Sequence, residues 1–262
     1  MNGSEPFAGM RAVITGGGSG IGLAIARRLD AMGAALTLIG RDKARLGRAI
    51  GELRRTTGHA AIACDVGDAA AVSATLAGLD AQSLPPSLLI NNAGGATSAA
   101  LGETSQELWD ETLRTNLTGV FHCIRAVLPG LMRQPYARIV NIASTAGLTG
   151  YPNVAAYCAA KHGVVGLTRA LALELARTRV TVNAVCPGYT ETSLVDDAIA
   201  SIVGATGRTP GQARETLLRR NPQRRLVAPE EVAATVAWLC LPESQSINGQ
   251  AISVSGGEVM TG

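Results

Sequence analysis

Seven short runs rich in Val, Ile, Leu and Ala recur along the chain, and helical stretches separate most of them. The runs cover Arg11–Thr15, Ala35–Ile39, Ala60–Cys64, Leu88–Ile90, Arg138–Ile142, Val180–Val185 and Gln250–Val254. They are nearly continuous in apolar character, the pattern of parallel strands covered on both faces. Helical patterns occupy Gly20–Met32, Asp68–Leu79, Ser105–Met132, Val154–Arg177 and Pro229–Leu239. Such repeats with short connections predict a doubly wound α/β fold, a seven-stranded and mainly parallel sheet with helices on both faces. No linker, repeat or low-complexity tract divides the chain, so one domain is expected over residues 1–262. The irregular excursion Tyr189–Leu226 follows a strand's carboxyl end, where open sheets bind ligands, and is read as a helical substrate lid.

The first run leads directly into Thr15-Gly16-Gly17-Gly18-Ser19-Gly20-Ile21-Gly22, and a helix follows. Glycines let such a turn reverse tightly and bring backbone N–H groups to a pyrophosphate, with the helix N-terminus adding partial positive charge. The spacing is TGxxxGxG and fits no register of GxGxxG. A plain structural turn is the competing reading for the glycines alone; their place at the first strand–helix junction favours a dinucleotide.

The second run ends at Gly40-Arg41-Asp42. An NAD site usually places a carboxylate here for the adenosine ribose, whereas Gly40 leaves space and Arg41 can pair with a 2′-phosphate. NADP is therefore favoured, with NAD kept open because Asp42 is one residue away. Ser19 stands where many NADP sites carry a second basic group. Asp65 follows the third run and is placed to meet the adenine amino group, with Val66 beside it; a turn or cap role competes.

Tyr157 and Lys161 are four residues apart in a helical stretch, so they share a face. A nearby ammonium stabilises a phenolate and brings tyrosine closer to useful acid–base strength at neutral pH. Ser144, just beyond the fifth run, can hydrogen-bond the same substrate oxygen. Asn116 lies inside an apolar helical stretch, an unfavourable place for an amide, where it can interrupt the backbone ladder and hold a water on a proton path from Lys161. None of these residues is informative singly.

Taken together, from Thr15 to Gly257, they resemble the short-chain dehydrogenase/reductase family in its compact, Rossmann-type form. The resemblance rests on Thr15–Gly22, Asp65, Asn91-Asn92-Ala93-Gly94, Asn116, Ser144, Tyr157, Lys161 and Pro187-Gly188. It implies an oxidoreductase with the tetrad Asn116, Ser144, Tyr157 and Lys161. Cofactor contacts would come from Gly16, Gly18, Ser19, Gly20, Ile21, Gly22, Arg41, Asp65 and Val66. Asn92, Ala93 and Gly94 would line the adenosine-side ribose and stabilise the central sheet. Lys161, beside Tyr157, would bind the nicotinamide ribose, and Pro187, Gly188, Thr190 and Thr192 the carboxamide. The resemblance also implies a homotetramer packed through Ser105–Met132 and Val154–Arg177.

The net charge of +3 is too mild for a nucleic-acid protein, and no stretch of the sequence is apolar enough to span a membrane. Five scattered cysteines without a CxxC pair, and a polar start at Met1–Gly9, make the cytoplasm the expected compartment. No metal site is expected, since His59, His122 and His162 lack a ligand cluster. Pocket walls are expected at Gly95–Thr97, Leu148, Tyr151, Asn153 and Tyr189, mostly small or apolar. Arg208, Arg214, Arg219, Arg220, Arg224 and Arg225 in the lid can meet the phosphates of coenzyme A or a phosphopantetheine arm; a solvated helical face reads equally well. The lid and Arg225–Glu231 are similar to reductases of 3-oxoacyl thioesters and polyketides. The expected reaction is reversible, NADPH-linked reduction of such a thioester or related ketone. An NAD-linked secondary-alcohol dehydrogenase is the alternative, and a non-catalytic dinucleotide sensor a more distant one.

Overall fold

Each apolar run forms a strand in the computed structural model, which describes residues 5–55, 57–80 and 84–260; the polar start Met1–Gly9 is thus described only from Glu5. In chain order the elements are β1 (Arg11–Thr15), α1 (Gly20–Ala31), β2 (Ala35–Gly40), α2 (Lys43–Gly51), β3 (Ala60–Ala63), α3 (Ala69–Asp80), β4 (Pro86–Asn91), α4 (Gln106–Leu113) and α5 (Gly119–Arg133). They continue with β5 (Ala137–Ile142), α6 (Ala155–Glu174), β6 (Val180–Pro187), α7 (Ser193–Thr206), α8 (Pro210–Leu218), α9 (Pro229–Leu239) and β7 (Ala251–Val254).

The seven strands form one sheet in the order β3-β2-β1-β4-β5-β6-β7, every pair parallel. Successive side chains of a strand leave on opposite faces, which explains two cores. Ile14 joins Ile25, Leu36 and Val236 under α1, α2 and α9, while Val13 joins Leu76, Val120 and Val164 under α3, α5 and α6. Leu29, Leu36 and Val164 are wholly buried, each worth about 1.5–3 kcal/mol on removal from water.

The chain leaves β1 toward β2 on one side, while β4 lies on its other side. That reversal opens a crevice at the carboxyl ends of β1 and β4. Thr15 closes its floor: its Oγ1 accepts from Asn92 N at 2.9 Å and Ala93 N at 3.0 Å, and its carbonyl accepts from Asn92 Nδ2 at 3.1 Å.

The excursion Tyr189–Leu226 is helical, as expected, and folds into α7 and α8, the latter opened by a Thr209–Gln212 capping box. The structure departs from the sequence reading in two places. α2 was not among the expected helices; its Asp42 cap accepts from Arg45 N at 2.9 Å. The single helix expected over Ser105–Met132 is interrupted between α4 and α5 by a five-residue π-helical turn, Arg114–Thr118. Its physical cause is Asn116, whose side-chain amide takes the ladder carbonyl of Thr112 as well as Gly95 O outside the helix.

Candidate active site

The glycine turn is held by Gly16, at φ +66°, whose N–H donates to Ile39 O at 2.7 Å. That backbone region disfavours any residue with a Cβ. Ser19 occupies the α1 cap position without a side-chain capping bond, and no carboxylate stands in the first turn of α1. The N-terminus is therefore free of the internal anion that would compete with a phosphate. Gly18 faces the stem of Arg45, and Gly20 faces Thr192, where an added Cβ would lie 3.1 Å from Cγ2. Ile21 is partly buried and packs against the α1-side core.

At the end of β2, Arg41 is exposed, while Asp42 is committed to capping α2, with Arg45 Nε 3.7 Å from its Oδ2. Asp65 accepts from Gly67 N at 2.9 Å and from Arg114 Nη1 at 3.0 Å. Burial pushes its carboxyl up, but Gly67, Arg114 and Arg41 together hold it below the usual carboxylate range. Val66 packs against Gly119, where a Cβ would sit 2.7 Å from its Cγ2.

Asn116, buried, donates through Nδ2 to Gly95 O (2.9 Å) and Thr112 O (3.0 Å), and accepts from Gly95 N at 3.2 Å. The amide thus holds the segment after β4 against the π-helical turn. Gly94 separates it from the lysine: an added Cβ would be 2.5 Å from Asn116 Oδ1 and 3.6 Å from Lys161 Nζ.

Lys161 is buried and donates to Ile142 O, the last residue of β5, at 2.8 Å. Burial pulls its ammonium down to about 8. Its Nζ lies 5.5 Å from the centre of the Tyr157 ring. Ser144, two residues past Ile142, accepts from Ala146 N at 3.1 Å. Tyr157 is pushed up to about 12 by burial, against which the nearby Ser144 hydroxyl pulls down. The sequence reading had the ammonium lowering this phenol; in the protein alone, desolvation outweighs any such effect. Ser144, Tyr157, Lys161 and Asn116 therefore meet at the carboxyl ends of β4 and β5.

β6 ends at Pro187, and Gly188 N donates to Val254 O at 3.0 Å. Thr190 Oγ1 donates to Gly188 O at 2.9 Å and Thr192 Oγ1 to Thr190 O at 3.3 Å, so the hydroxyl protons stay within their own loop and the oxygens are left as acceptors. The family profile described as short chain dehydrogenase matches residues 10–201. The chain belongs to the short-chain dehydrogenase family. It is accordingly an oxidoreductase. Over 249 residues this dehydrogenase is 42% identical to the Granaticin polyketide synthase putative ketoacyl reductase 1 of Streptomyces violaceoruber, covering 94% of this chain and 92% of that one. It is 36% identical to the D-beta-hydroxybutyrate dehydrogenase of Cupriavidus necator, covering 96% and 98%. The crystal structure of an actinorhodin polyketide ketoreductase with NADPH superposes with a TM-score of 0.91 at 39% identity, covering 97% of this chain and 98% of that one.

Around the expected wall residues Tyr151 and Tyr189 the structure brings two that the sequence did not single out, Glu258 and Thr145. The Tyr151 hydroxyl lies 2.7 Å from Glu258 Oε1 and 2.8 Å from Thr145 Oγ1. Tyr189 meets the Tyr151 ring edge-on at 6.2 Å, and the Arg220 guanidinium stacks on Tyr151 at 4.6 Å. Of the lid arginines, Arg214 pairs with Glu191, Arg219 with Glu215 and Arg225 with Glu231. Thr15 was visible inside the glycine motif, but Arg114 and Glu258 carry no local signal, because only the fold brings them to Asp65 and Tyr151.

Proposed function

We propose that this dehydrogenase reduces the ketone of a 3-oxoacyl thioester, or a related ketone, to the alcohol with NADPH, reversibly. The observation that carries the reading is the meeting of Ser144, Tyr157 and Lys161 at one end of β5, beside the crevice that begins at the glycine turn. The chain's residues fit the dinucleotide. The uncapped start of α1, with Gly16, Gly18, Ser19, Gly20, Ile21 and Gly22, suits a pyrophosphate. Gly40 leaves room for a 2′-phosphate, and Arg41, exposed and without an ion pair among the described residues, offers it a cation, while Asp42 is occupied as a cap. Asp65 and Val66 serve the adenine, Asn92, Ala93 and Gly94 the adjoining ribose, and Pro187, Gly188, Thr190 and Thr192 the carboxamide end.

Bound nicotinamide supplies the hydride. Tyr157, neutral well above physiological pH, gives its hydroxyl proton to the carbonyl oxygen, and Ser144 Oγ holds that oxygen. Lys161, still mostly charged at pH 7, orients the nicotinamide ribose and replenishes the phenol's proton. Both N–H groups of Asn116 are already used, but Oδ1 keeps one lone pair with which to hold a water beside Lys161.

The thioester part is supported by the ketoacyl reductase relatives and by the lid. Among the described residues Arg208, Arg220 and Arg224 have no carboxylate within ion-pair distance and remain free to meet the phosphates of a coenzyme A or acyl-carrier arm. We read residues 1–262 as one domain with α7 and α8 as its lid. Phe121 on α5 and Leu173 on α6 are exposed apolar side chains that suit a homotetramer packed through those helices. A cytoplasmic setting fits the five unpaired cysteines, and among the described residues no helix is long and apolar enough to cross a membrane.

The test is cofactor oxidation measured with acetoacetyl-CoA and with NADPH or NADH. Faster turnover with NADPH is expected. Activity confined to NAD and secondary alcohols would replace this reading with the NAD-linked secondary-alcohol dehydrogenase, an alternative in line with the hydroxybutyrate dehydrogenase relative.

A further inference from the structure

Glu258 reaches the loops that flank Ser144 and Gly188 at the carboxyl edge of the sheet. Glu258 follows the turn after β7, far from the tetrad in sequence, and its carboxylate is partly buried between two loops. Oε1 accepts from the Tyr151 hydroxyl at 2.7 Å. Having a single hydrogen, Tyr151 gives it to the carboxylate and accepts from Thr145, the neighbour of Ser144. Oε2 lies against Gly188, where an added Cβ would be 3.0 Å away. The negative charge therefore sits between the residue beside Ser144 and the loop assigned to the carboxamide. It has no cationic partner: among the described residues no Lys, Arg or His lies within ion-pair distance of it. Arg220 stacks on the Tyr151 ring instead, and it is exposed, so solvent screens it more than Glu258.

A fixed, unpaired charge beside a pocket selects against ligands of the same sign, through repulsion that a partly desolvated site screens poorly. The 3-oxo acid and its thioester carry the same ketone and differ at the acyl carbon: the acid is an anion, the thioester neutral there. From this geometry we infer that Glu258 is a specificity-determining residue that rejects free 3-oxo and 3-hydroxy acids and admits the neutral thioester. The inference rests on the ketone-reductase reading above and adds the substrate class to it.

Acetoacetate and the neutral N-acetylcysteamine thioester of acetoacetate serve as the probes, with NADPH as the reductant. The quantity read is the ratio of kcat/KM for acetoacetate to that for the thioester. Glu258→Gln keeps an acceptor for Tyr151 and removes the charge; it is expected to raise the ratio about tenfold or more, and added salt is expected to raise the wild-type ratio in the same sense. Glu258→Asp retains the charge and is expected to keep the ratio low, which separates charge from shape. Thermal melts of each variant establish that it is folded. A ratio that stays within about twofold in Glu258→Gln, while the wild type reduces the thioester, overturns the role of Glu258 alone. A wild type that reduces neither probe with either cofactor overturns the ketone-reductase reading and the selection together.

Discussion

Arg114 Nη1 lies 3.0 Å from Asp65 Oδ2, so the π-helical turn that holds Asn116 also holds the carboxylate assigned to the adenine. Glu111 braces the same guanidinium from α4, at 2.6 Å to Nε and 2.9 Å to Nη2. The two carboxylates push the guanidinium above its ordinary range, Glu111 first, so it is charged at every working pH. One short irregular turn thus supports both ends of the cofactor crevice.

Replacing Arg114 by Gln is expected to weaken cofactor binding about fivefold, near 1 kcal/mol, because the ion pair is partly exposed and solvent screens it. Fluorescence titration of cofactor measures this. In an Asp65→Asn background the same substitution should add little further loss; full additivity would show that Arg114 does not act through Asp65.

Gly94→Ala places a methyl group against Asn116 Oδ1 and near Lys161 Nζ. The expected result is a loss of about 10–100-fold in kcat/KM with the circular dichroism spectrum retained, since small displacements of positioned groups are costly. Wild-type rates in this variant would mean that the spacing between the amide and the lysine is immaterial.

Burial lowers Lys161 from 10.5 to about 8, which makes a stability prediction for the protein without cofactor. Between those values the unfolded chain binds the proton and the folded one does not, so this group stabilises the fold above 10.5 and loses that contribution as pH falls to 8. Lys161→Met lacks the titration. Its Tm minus the wild-type Tm should therefore be larger at pH 7 than at pH 10.5, by about 4–10 °C, even though its activity is lost. A Tm difference independent of pH would show that the lysine is not desolvated as described.

His59 offers a second pH signature, far from the chemistry. Its Nδ1 accepts from Leu36 N at 3.1 Å, and its Nε2 faces Asp30 Oδ1 at 3.2 Å, both side chains wholly buried. Desolvation lowers its pKa, outweighing Asp30, which favours the charged ring, and assisted by Arg55. A depressed imidazole contributes stability above its unfolded value of 6.5 that is lost as pH falls below it. Denaturant midpoints from pH 7.5 to 5 should fall in the wild type and fall less in His59→Gln. Parallel profiles would argue against it.

Local pattern was enough for the sheet and for half of the site. β1, the turn to Gly22 and α1 are contiguous, and Tyr157 with Lys161 sit on one helix, so periodicity and spacing expose them. Asn116 was readable because an amide is out of place in an apolar helix, and the π-helical turn is what that misplacement becomes. α2 escaped notice because its burial depends on Leu46 and Ala49 alone. The contacts Asp65–Arg114 and Tyr151–Glu258 span 49 and 107 residues, and nothing near either partner in the chain foretells the other. Asp42 shows the reverse case, a carboxylate at a plausible ribose position that the backbone of α2 claims instead.

The anchors of the site are mostly main-chain atoms: Lys161 is held by Ile142 O, Asn116 by both backbone groups of Gly95, and the Gly188 N–H by Val254 O. Peptide groups are the same whatever side chain a residue bears. Mutation can therefore repaint the walls at Leu148, Tyr151, Tyr189 and Glu258 while the reacting groups keep their spacing. A scaffold wired in this way is free to drift among ketones without having to reinvent its chemistry.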